Sequence, residues 1–123
     1  MGHIPKGAKW WIADLVVEFE VEDEGSVVHY NLTLVRADCA EDAYKEALEL
    51  GRQHESIYKN SKGHLVTTHF RGLRNLVVVH DDLEHGAELL YEQKEDLTPE
   101  QVLASVRRKE DLSVFVPWKD PED

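Results

Sequence analysis

Apolar residues recur at every second position from Trp10 to Val21. Trp11, Ala13, Leu15, Val17, Phe19 and Val21 make one wholly apolar parity, the period of a β-strand with one buried face. The other parity changes midway: Trp10, Ile12 and Val16 are apolar around Asp14, whereas Glu18, Glu20 and Glu22 are acidic. The first half of this strand is therefore expected to be covered on both faces and the second half on one. Asp23-Glu24-Gly25 reads as a turn, with a glycine free to take a positive φ. Ser26–Arg36 reads as the returning strand, with Val28, Tyr30, Leu32 and Leu34 on one face. In this hairpin His29, Asn31 and Thr33 occupy the polar face and are expected to lie across from the glutamates.

After the hairpin the period lengthens. Asp38 with Glu41 is compatible with a capping box, and Glu41 and Asp42 suit the positive end of a helix dipole. The helix should start near Ala40 and end between Gly51 and Glu55. Ala43, Ala47 and Gly51 fall at i, i+4 and i+8, so its backbone can approach a sheet closely. A short strand over Ile57–Lys59 and a turn at Asn60–Gly63 precede a long β-branched and apolar run, His64–His80. Gly72 and Asn75 interrupt that run and predict a bulge or bend. Ala87–Tyr91 is read as a last strand. Thr98-Pro99-Glu100-Gln101 carries an N-cap threonine, a proline at the first helical position and a capping glutamine, a start signal for a second helix running to about Lys109. The tail from Leu112 to Trp118 is apolar, and Pro117 and Pro121 end any regular element.

These elements define an α+β class: an antiparallel sheet of about five strands in β-β-α-β-β-β order, one helix packed on a face, then a C-terminal helix and tail. No repeat or linker divides the chain. A single domain over 1–123 is expected, with a core at about 9–92 and an extension at about 93–123.

Charge narrows the possible partners. Twenty-five acidic and 14 basic residues give a formal net charge of −11, a field that repels phosphate backbones and anionic membranes, so neither nucleic acid nor membrane is an expected partner. Cys39 is the only cysteine and cannot form an intramolecular disulfide, which fits a reducing compartment. The first nine residues are short and polar, and no apolar run approaches the roughly 20 residues of a membrane span. A cytoplasmic address follows as the expectation.

Four clusters carry possible chemistry. His80, Asp82, Glu84 and His85, with Asp81 between them, are divalent-metal ligand types crowded into six positions. They lack the helical His pair of a metalloprotease, and a polar loop between strands is the plainer reading. Glu18, Glu20 and Glu22 against His29 could hold an acid and a base, but an exposed sheet face supplies no dry cleft, and a charged face that discourages aggregation explains them as well. Cys39 near a helix start could have a lowered pKa, yet no base accompanies it, so a small buried or half-buried cysteine is preferred. Trp10 and Trp11 point to opposite faces of one strand and cannot share a layer. Either the C-terminal extension, including Trp118, or a second subunit is expected to cover the outer one.

Several segments together resemble a known bacterial family, the domain of unknown function 4288. They are Lys9-Trp10-Trp11, the strand Leu15–Glu22, Leu34-Val35-Arg36-Ala37 before an acidic helix with Ala43 and Ala47, and Tyr58-Lys59-Asn60. Phe70-Arg71-Gly72-Leu73 and Gly86-Ala87-Glu88 with Tyr91 complete the pattern over roughly Lys9 to Glu92. Cys39 departs from it, standing where a serine or threonine cap is more usual, and everything after Glu92 looks like an extension. The resemblance implies a shared fold and supplies no catalytic residues. No glycine-rich phosphate loop, paired CxxC or GxSxG motif is present, and no cofactor is expected. The reading is a non-catalytic interaction or self-associating domain, with Trp10, Glu18, Glu20, Glu22 and Trp118 as candidate partner-binding residues. Two rival readings stay open: an immunity-type protein neutralising a basic toxin, motivated by size and charge, and a metal-dependent enzyme using the 80–85 loop.

Overall fold

The strictest alternation in the sequence becomes the centre of the sheet. In the computed structural model, which describes residues 4–117, β1 (Trp10–Val21) runs antiparallel to β2 (Gly25–Arg36) on one side. On its other side it runs antiparallel to β4 (Leu65–Val78), which in turn pairs with β3 (Ser56–Lys59). The order is β2-β1-β4-β3, with one helix, α1 (Ala40–Arg52), between the hairpin and β3. Asp23 at φ 64° and Gly25 at φ 86° turn the chain between β1 and β2.

The apolar parity of β1 faces the core. Trp11, Ala13, Leu15 and Val17 are fully buried with Val35 of β2 and Ala43 and Ala47 of α1, and Phe70, Leu73, Leu76 and Val78 of β4 pack around them. Burying each large side chain contributes about 1.5–3 kcal/mol. The Trp11 indole N–H is not lost to burial: it donates to the Ala37 carbonyl at 2.9 Å. The small stripe of α1 brings the helix onto the sheet, and at Gly51 a Cβ would lie 2.3 Å from the Phe70 ring.

Five expectations are corrected. The sheet has four strands: 87–91 is irregular, the Glu88 N–H donating to the Asp81 carboxylate at 2.9 Å and the Ala87 N–H to the Glu84 carbonyl at 3.0 Å. Those local bonds take the amides a fifth strand would have placed in a ladder. The cap of α1 is Cys39, not Asp38; its sulfur accepts from the Asp42 N–H at 3.5 Å, while Asp38 pairs with Lys9 at 2.8 Å. Cys39 is exposed rather than half-buried. The second helix, α2, is only Pro99–Ala104; it has the expected capping box, but it buries no residue, and a helix this short gains little without packing. The fifth correction is the facing of β2. Val17 pairs with His29, Leu15 with Asn31 and Ala13 with Thr33, so those polar residues share the helix side, while Val28, Tyr30, Leu32 and Leu34 share the face of Asp14, Val16 and Glu18.

The long run after the Asn60 turn is a single strand with two bulges, as Gly72 and Asn75 suggested: the register to β1 shifts beside Arg74 and again beside Arg71. The chain divides into two units, one up to Tyr91 and one from Glu92. Within the second, α2 is followed by 3-10 turns at Lys109–Asp111 and Ser113–Phe115.

The close seat of Gly51 sets a sharp expectation. Gly51→Ala should improve helix propensity by about 1 kcal/mol yet lower stability overall by about 1–2 kcal/mol through overpacking against Phe70. A lower urea midpoint at unchanged slope would show it, and the loss should shrink in a Phe70→Leu background.

Candidate functional site

On the face opposite the helix, Ile12 and Asp14 of β1 are buried, and the exposed part lies along β2. The centre of this face is Asp14, mid-strand in β1, whose side chain is only 10% exposed. A buried carboxylate needs a counter-charge, and the bulge in β4 delivers one: Arg74 Nε donates to Asp14 Oδ2 at 2.7 Å, while its guanidinium lies 3.8 Å from the Tyr30 ring centroid. Asp14 Oδ1 has no hydrogen-bond partner among the described residues.

The second bulge delivers Arg71 in the same way. Its Nε donates to Glu18 Oε1 at 2.8 Å and its Nη2 reaches Glu20 Oε1 at 3.4 Å. The hydrogen bond from Arg71, aided by one from Ser26, holds the Glu18 carboxyl below the ordinary glutamate range. Lys9 does the same for Asp38. His69 Nε2 stands 3.2 Å from Glu20 Oε2, within ion-pair distance but without hydrogen-bond alignment. Glu22 Oε1 accepts from the Leu65 N–H at 3.4 Å. The carboxylate ladder is thus engaged within the sheet.

Beside these charges runs an exposed apolar row on β2: Val28, Tyr30, Leu32 and Leu34 are 43%, 52%, 61% and 42% exposed. Trp10 stands half-buried on the same face, with the Arg36 guanidinium 5.5 Å from its ring. His29 is on the other face, edge-on to Phe19 at 4.8 Å, so the acid and base imagined on one face are separated by the sheet. Trp118 lies outside the described residues.

His80, Asp82, Glu84 and His85 are exposed. Among the described residues no three His, Cys, Asp or Glu side chains are grouped to hold a metal ion. His80, Asp81 and Asp82 border a cleft of about 260 Å³ whose other walls are Pro5–Trp10 and Val79. No described helix is long and apolar enough to cross a membrane. Arg71 and Arg74 escaped the sequence reading; the signal available was their position beside the two interruptions, Gly72 and Asn75.

Fold and face together define a small α+β domain: an antiparallel four-stranded sheet with one helix on one side and a mixed apolar and ion-paired surface on the other. A family model described as domain of unknown function (DUF4288) matches residues 10–91, which span all four strands and α1. The chain belongs to this family. No curated protein and no solved structure matches it.

Two measurements test the face. Arg74→Met strands a buried carboxylate and should cost about 2–3 kcal/mol, whereas Asp14→Leu with Arg74→Met should recover most of it; an equally unstable double variant would refute the pairing. For Glu18, a folded-state pKa below the unfolded value of ~4.3 means its contribution is present above that pH and lost as pH falls through the folded value. Wild type should therefore be more stable than Glu18→Gln at neutral pH, with the gap closing below about pH 4. A gap independent of pH in chemical denaturation would count against it.

Proposed function

We propose that this chain is a non-catalytic cytoplasmic protein-interaction domain that self-associates through the sheet face opposite α1. The observation that carries this reading is the exposed row Val28, Tyr30, Leu32 and Leu34 on one strand, because contiguous exposed apolar side chains rimmed by charge are the mark of an interaction surface. The ion pairs of Arg71 and Arg74 rim the row and occupy the acidic residues, so the contact falls on the apolar side chains rather than on the glutamates. A lone exposed Cys39 suits a reducing compartment.

Sedimentation at tens of micromolar should give a mass above the 14.1 kDa of one chain. Leu32→Lys, altering a side chain 61% exposed, should return the mass to that of one chain with little change in the thermal midpoint. A monomeric wild type at that concentration would overturn the reading.

A further inference from the structure

An edge strand normally carries a device against pairing with another chain: a proline, an inward or edge lysine, a bulge, a cover or mere shortness. Of the two edges of this sheet, β3 is protected by its four residues. The other, β2, is twelve residues long, Gly-Ser-Val-Val-His-Tyr-Asn-Leu-Thr-Leu-Val-Arg. It has no proline or lysine, and it pairs with β1 in one unbroken register.

Its free backbone groups can be assigned. The Ala37 N–H donates to the Lys9 carbonyl at 2.9 Å, which places the hydrogen-bonded pairs of the β1–β2 ladder at odd positions. Antiparallel pairs alternate, so the N–H and C=O groups of Ser26, Val28, Tyr30, Leu32, Leu34 and Arg36 point away from β1. The residues with outward backbone are thus also those of the exposed apolar row.

Charge limits where a second copy can meet the first. Each chain carries a formal −11, so two copies can approach only where that field is weakest, and β2 contains no carboxylate and ends in Arg36. We infer that a second copy of this chain adds its own β2 antiparallel to β2 across a two-fold axis at Asn31, joining the two four-stranded sheets into one. The inference rests on the self-association proposed above and names its geometry. Outward residues must pair with outward residues, and the two-fold centred on Asn31 sets Tyr30 against Leu32 and Val28 against Leu34 of the second copy. It also sets Ser26 against Arg36. The interface is isologous and self-complementary, and the apolar row of each copy continues into that of the other.

Asn31 then faces its own counterpart in a pair without ladder hydrogen bonds, at a Cα separation of about 4.5 Å, inside the roughly 4.4–6.8 Å span of disulfides. Ser26 lies roughly 34 Å from its counterpart in the same register. In a Cys39→Ser background, which keeps a good helix cap, Asn31→Cys treated with oxidised glutathione should run as a covalent dimer on a non-reducing gel. Ser26→Cys should remain a single chain. If Asn31→Cys cross-links no more than Ser26→Cys while the wild type sediments above the mass of one chain, the strand pairing is overturned and the self-association stands. A wild type at 14.1 kDa with no cross-link overturns both.

Discussion

Three residues separate Val21 from Gly25, and the turn they form sets how β2 returns along β1. In an antiparallel ladder opposed residues share a face, and a slip of one position would send every side chain of β2 to the other side. The register observed places Val35 beside Trp11 in the core and leaves Val28, Tyr30, Leu32 and Leu34 on the open side. Much of the rest depends on it: the helix side is completed by α1 and β4 because β2 brings it His29, Asn31 and Thr33, and the open side becomes apolar at its edge.

The helix side shows how little volume suffices when backbones approach closely. Ala43, Ala47 and Gly51 let α1 lie on the sheet, so the core is filled by large residues from strands, Trp11, Leu15, Val17 and Phe70, against small ones from the helix. On the other side the order is inverted. Asp14 sits where a core residue would be expected and is held by Arg74, whose guanidinium also covers Tyr30. A polar pair there specifies one arrangement of β4 against β1, since any other would leave the buried carboxylate without its charge.

Period and capping made β1, β2, α1 and the Thr98 turn legible within a residue or two, because each rests on local chemistry. The facing of β2 was not legible in the same way. Both its parities contain plausible core residues, and its apolar row was assigned by hydrophobicity when the deciding constraint was the turn. Ala87–Tyr91 has strand-like composition, but composition does not show whether an amide has already been taken by Asp81. Of the candidate site, Trp10 and the glutamates were visible, while the cations that engage those glutamates come from β4, more than fifty positions away in the chain.

The two bulges of β4 act as a pair of frame shifts. Phe70 faces the core, the extra residue Arg71 moves the alternation so that Leu73 does too, and the extra residue Arg74 moves it back for Leu76 and Val78. No single period therefore describes this strand. Because each arginine is the extra residue of its bulge, losing either position would turn that stretch into regular strand with Phe70, Leu73, Leu76 and Val78 still facing the core, and would remove the cation it supplies. The bulges therefore bring cations to the open side without changing which residues β4 sends to the core, and the length of the segment can vary by one residue at each of them.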